Sequence, residues 1–156
     1  MMVLMVVLAL AGGALLSIQA AINGQLGSHV GVLKSAFLTF SIGALVTSLL
    51  IFFLEPQAKI SLLDVPRWQV MGALLGVPYI IIMVFAVQRL GTGVATVAVI
   101  FGQLTMSMLI DHFGWLDNPS IPLSGSRIAA LALLALALLF IYRSTQKHQT
   151  DPDAQS

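Results

Sequence analysis

Five long stretches of this chain carry no lysine, arginine, aspartate or glutamate in their middles: residues 3–22, 32–54, 68–87, 92–110 and 128–142. A helix of about 20 mostly apolar residues crosses the hydrocarbon of a bilayer. A charge at its centre opposes insertion by about 2.5–3.5 kcal/mol, whereas each Leu, Ile, Phe or Val there favours it by roughly 0.3–0.6. All five stretches therefore read as transmembrane helices. They do not read as buried helices of a water-soluble fold, because each is apolar on nearly every face. A chain of 156 residues, 58% apolar and 8% charged, also has too much surface for its volume to hide that much hydrocarbon from water. Its mean hydropathy of +1.00 agrees. Backbone exposed to lipid has to satisfy its own hydrogen bonds, so the expected fold class is all-α integral membrane with five transmembrane helices. Residues 1–143 form the membrane domain and 144–156 a polar, disordered tail.

Local features refine the spans. No Lys or Arg precedes the first stretch, as the n-region of a secretory signal would require, so it is read as a retained first span. Trp68 and Tyr142 suit the interface, and Arg127 and Arg143 can snorkel to headgroups at the ends of the short fifth span. Ser124-Gly125-Ser126 supplies capping oxygens for that helix. Gln88-Arg89-Leu90-Gly91 is short enough to make spans three and four a tight hairpin.

Charge excludes some functions and leaves orientation open. The formal net charge of +1 and the lack of a basic stripe give nucleic acid no footprint. Cysteine is absent, which removes thiolate metal sites and cysteine nucleophiles. Five spans place Lys59, Arg67 and Arg127 on one side and Lys34, Arg89, Arg143 and Lys147 on the other. Lys/Arg asymmetry is what orients a membrane protein, and here it is almost nil. Three readings follow: insertion in both orientations with antiparallel pairing, orientation by a partner, or a small bias that places the C-terminus in the cytoplasm.

Polar groups within spans are costly and mark function. Gln19 and Asn23 share a face of helix one at i, i+4 spacing, suited to lining a cavity, although Asn23-Gly24 equally fits the end of a helix. Ser35, Thr39, Gly43 and Thr47 recur at i+4 and read as a small-residue packing face. Pro78 lacks an N–H and predicts a kink in helix three, and Tyr79 after it can meet a ligand or fill the core. Helix four has the clearest polar arc, Thr96, Gln103, Ser107 and Asp111, extended by Thr92. Gln103, near the middle, is the leading candidate. Asp111-His112 at its end could relay protons or simply mark a charged terminus. No third ligand completes a metal site there, and no cofactor is called for. Helix five has no polar residue between Arg127 and Tyr142, so it suits lipid or a partner helix.

The same residues carry a likeness. Gln19-Ala20-Ala21-Ile22-Asn23-Gly24-Gln25-Leu26-Gly27 resembles the first-helix signature of the YdcZ-type bacterial inner-membrane proteins, within the drug/metabolite transporter superfamily. The likeness continues through Phe40-Ser41-Ile42-Gly43, Gly76-Val77-Pro78-Tyr79, Gly102-Gln103-Leu104, Asp111-His112-Phe113-Gly114 and Pro122-Leu123 with Arg127. It implies a five-helix exporter of undefined solute in the bacterial inner membrane, assembled from two five-helix halves. The small multidrug pumps of that superfamily use a glutamate in the first helix. This chain has Gln19 and Asn23 there instead, so the same proton chemistry is not carried over.

The leading expectation is thus a transporter, not an enzyme, for a small polar or amphipathic solute. It would work as a homodimer, antiparallel if both orientations insert, or as a heterodimer with a related five-helix chain. Gln19, Asn23, Tyr79, Gln103 and Ser107 would line the path, with Asp111 and His112 coupling or gating it. The alternative is a non-transporting accessory subunit of a heteromeric membrane complex. Paired carboxylates and nucleophile–base arrangements are missing at membrane depth, which argues against an intramembrane enzyme.

Overall fold

The computed structural model describes residues 1–55 and 65–150, without the side chains of 148–150. Its helices are α1 (Met2–Val30), α2 (Val32–Leu54), the short α3 (Arg67–Val70), α4 (Gly72–Leu90), α5 (Thr92–Phe113) and α6 (Gly125–Thr150), with a 3₁₀ turn at Trp115–Asp117. Five stretches are long and apolar enough to span a membrane: Met2–Val30, Val32–Leu54, Arg67–Leu90, Thr92–Phe113 and Gly125–Lys147. Lys59 lies outside the described residues.

Three boundaries depart from the sequence reading. Helix α1 does not stop at Asn23-Gly24 but continues to Val30. Asparagine ends helices when its side chain competes for local backbone groups; here that side chain is engaged by α2, and the helix passes through. The last helix likewise continues to Thr150 where a disordered tail from 144 was expected. Thr145 Oγ1 donates to the Ile141 carbonyl at 3.0 Å, and adding residues to an existing helix costs far less than nucleating one. Residues 151–156 lie outside the described residues. In the third span, α4 carries Pro78 within it, and α3 and α4 are divided at Met71, whose N–H donates to the Trp68 carbonyl and whose carbonyl accepts from the Leu74 N–H, three residues apart each time.

Two glycines make the tightest connections. Gly31 (φ 90, ψ 152) alone separates α1 from α2, and Gly91 (φ 81, ψ 160) alone separates α4 from α5. Both occupy a region of backbone space that is essentially closed to residues with a Cβ. Each also donates its N–H to the carbonyl four residues earlier, at 3.0 Å, which finishes the preceding helix.

The chain divides into two compact units, Met1–Thr92 and Gly93–Ser156. In the first, α1 packs on α2 and α4, and α2 packs on α4. Buried residues gather at one end: Ala20, Asn23, Gly24 and Gly27 of α1, Ser35 and Ala36 of α2, Met83 and Val84 of α4. Lipid tails are as apolar as leucine, so hydrophobicity does not drive these helices together; close approach and interhelical hydrogen bonds do. The residues obey that logic. A Cβ on Gly24 would lie 2.5 Å from Val87 Cγ1, and one on Gly27 would lie 2.5 Å from Val84 Cγ1. Toward the other end, a Cβ on Gly12, Gly13, Gly43 or Gly72 would meet nothing within 4 Å. The small-residue stripe of α2 is therefore a packing face only at Ser35 and Thr39. Thr47 bonds back to the Gly43 carbonyl at 2.8 Å, exposed.

Candidate functional site

The expected path residues fall into two groups, one in each unit. In the first, Gln19, Asn23 and Tyr79 line one small void between α1 and α4, together with Leu16, Ala20, Ile80, Met83 and Val84. The i, i+4 spacing read from the sequence puts Gln19 and Asn23 on this wall, and Tyr79 follows Pro78 onto it. The void holds about 10 Å³, roughly the room of a single water. A solute does not fit inside this void.

Asn23 and Gln19 differ in their engagement. Asn23 is buried; Thr39 Oγ1 donates to its Oδ1 at 2.8 Å, and Ser35 Oγ donates to its carbonyl oxygen at 3.1 Å. Asn23 thus ties α1 to α2. Gln88 does the same from α4, its Nε2 donating to the Gly24 carbonyl at 3.2 Å. Gln19 is exposed and has no side-chain hydrogen bond among the described residues. Sequence reasoning singled out neither Gln88 nor the Ser35–Asn23 link; the clue was a glutamine one turn from a helix end facing a Gly-x-x-Gly pair.

The second unit holds the α5 residues. Gln103 and Ser107 are exposed. Gln103 stands near the middle of the span and makes no hydrogen bond among the described residues. Thr96 Oγ1 is buried without a partner, as is His112 Nδ1. Asp111 is bound: Arg127 Nη1 donates to its Oδ2 at 3.2 Å. Other bonds close the same end of α5. The Ile121 N–H donates to the Asp111 carbonyl at 2.7 Å, and Ser120 Oγ donates to the His112 carbonyl at 3.2 Å. These satisfy carbonyls that a helix end leaves open. An acid at a helix C-terminus opposes the helix dipole, and Arg127 offsets it. At the start of α6, Ser124 caps as expected, its Oγ accepting from the Arg127 N–H at 3.4 Å.

The Asp111–Arg127 pair is about a third exposed on each side, so it stabilises little. Asp111→Asn is expected to lower unfolding stability by no more than about 1 kcal/mol, measured by thermal melting in detergent. A larger fall would mean that the pair fastens the whole unit.

Among the described residues no group of His, Cys, Asp and Glu could hold a metal ion. In comparison with models of protein families, residues 4–140 match the family described as "putative inner membrane exporter, YdcZ". No curated protein and no solved structure matches the chain.

Proposed function

The chain belongs to the YdcZ family of inner membrane proteins, and on that premise we propose that it is an exporter in which two five-helix chains together form the path of a small polar or amphipathic solute. It is a multi-pass protein of the inner membrane, with five helices able to span it. Gln19 and Tyr79 in the first unit, and Gln103 and Ser107 in the second, are each proposed to meet the solute, while Asn23 holds the wall of the first unit in place. Asp111 and His112, at the membrane face, act as a gate. No bond-making step is assigned to any of them.

The observation that carries this reading is Gln103. A lone chain would present its unpaired amide to hydrocarbon at mid-span. Moving such a group from water into a medium that cannot hydrogen-bond costs roughly 4–8 kcal/mol, and polar arcs in membrane helices face other protein or water. A second chain, with a wet path between the two, removes that cost. Neutral amides also bind polar solutes without placing a charge at the centre of the bilayer.

The absence of cysteine makes the test clean. Gln103→Cys introduces a single thiol, to be challenged in native membranes with a bifunctional maleimide and with a small charged thiol reagent. The expected result is a cross-linked dimer and labelling by the charged reagent, with Leu136→Cys on α6 reacting with neither. A Cys at 103 as inert as the one at 136 would sink the proposal. A dimer that moves no solute after reconstitution would point instead to an accessory subunit.

A further inference from the structure

A second cleft lies in the first unit, at the end where α1 and α4 finish. It has a volume of about 630 Å³ and is bordered by Gln25 and Ser28 of α1 and by Val87, Gln88 and Arg89 of α4, with Thr92 at its rim. Arg89 is the next-to-last residue of α4, and Ser28 lies two residues before the end of α1. The cleft therefore opens at one membrane face and not at mid-bilayer, and it is separate from the proposed solute path.

Its chemistry has one sign. Arg89 is exposed, and its guanidinium has no hydrogen bond or ion pair among the described residues. The lining contains no carboxylate. The amides of Gln25 and Gln88 and the hydroxyls of Ser28 and Thr92 add donors around it. Ser28 Oγ already donates to the Gln25 carbonyl at 2.7 Å, and Gln88 spends one amide hydrogen on Gly24; the second hydrogen of Gln88 and the whole side-chain amide of Gln25 have no partner there.

The rest of this end shares the sign. Within the first unit this end carries Lys34 as well as Arg89 and no acid, while Glu55 lies at the far end of α2.

We propose that this cleft binds a phosphate-bearing anion, with Arg89 as the ion-pairing residue and the neighbouring amides and hydroxyls donating to the remaining oxygens. Arginine presents a planar fork that matches phosphate oxygens two at a time. Basic pockets between membrane helices at the headgroup layer hold anionic lipid phosphates in this way. The phosphate can come from a lipid headgroup or from a free anion, and the two sources are separable.

The full chain, purified in detergent, is offered phosphatidylglycerol or phosphatidylcholine and the retained lipid is read by native mass spectrometry. In parallel, its melting temperature in phosphatidylcholine is followed with added inorganic phosphate against chloride at equal ionic strength. Arg89→Gln is compared with Lys34→Gln, which removes one charge from the same face outside the cleft. A charge-assisted bond of this kind is worth about tenfold in affinity. The expected result is that Arg89→Gln cuts phosphatidylglycerol retention about tenfold for a lipid source, or abolishes the phosphate-dependent melting shift for a free anion, with Lys34→Gln close to wild type in both. Should Arg89→Gln not accumulate, Gln25→Leu carries the same comparison. Equal effects of the Arg89 and Lys34 variants, or no dependence on either, would overturn the assignment.

Discussion

Gly27→Leu should remove most of the folded protein from the membrane. A Cβ at that position would stand 2.5 Å from Val84 Cγ1 and 2.8 Å from Gln88 Nε2. Val84 is fully sealed, 1% exposed, and a β-branched side chain has little rotamer freedom with which to yield. The helices would have to separate. That movement would also pull the Gln88 amide from the Gly24 carbonyl and Ser35 from the Asn23 carbonyl, bonds that hold α1 to α4 and to α2. Overpacking alone costs about 1–3 kcal/mol, and each interhelical hydrogen bond adds roughly 0.6–2, in a unit with no hydrophobic drive to make up the loss. The measurement is membrane abundance and melting temperature beside Gly12→Leu, where a Cβ meets nothing within 4 Å. Equal behaviour of the two variants would show that α1 and α4 are not in close contact.

This contrast marks what the sequence could and could not disclose. The five spans were legible because the exclusion of charge from hydrocarbon acts on every residue of a segment. The small residues of α2 were legible as a packing face, but not where that face ends, because Ser35 and Gly43 look alike on the stripe until a neighbouring helix is in place. Asn23 is the clearest ambiguity. Its local sequence fits both a helix end and a polar wall, and only the hydroxyls of Ser35 and Thr39, on another helix, decide that it lies inside α1. The clasp around Asp111 was not legible: the sequence offers Asp111-His112 as a proton relay or a charged terminus and Arg127 as a snorkelling residue, with nothing to pair them. Ser120 and Ile121 gave no signal, since their bonds reach backbone carbonyls that carry no sequence identity.

Gln19→Ala and Gln103→Ala should each abolish export while leaving abundance unchanged. Neither side chain makes a hydrogen bond among the described residues, so neither removal strands a partner, which is the usual reason that losing a polar group destabilises. Asn23→Ala should behave in the opposite way. It takes the acceptor from Thr39 at 2.8 Å and is expected to cost about 1 kcal/mol of stability, with abundance falling. The three variants thus separate residues that read a solute from a residue that holds the wall. The assay is vesicles of purified protein loaded with a bacterial small-molecule extract, the released solutes quantified by mass spectrometry against protein content. Undiminished release from both glutamine variants would take Gln19 and Gln103 out of the path. Because the void beside Gln19 has room for about one water, a surviving role for that residue requires the wall to part or a second chain to complete it. Loss of release in Gln19→Ala with intact cross-linking at position 103 would locate that opening between chains already paired.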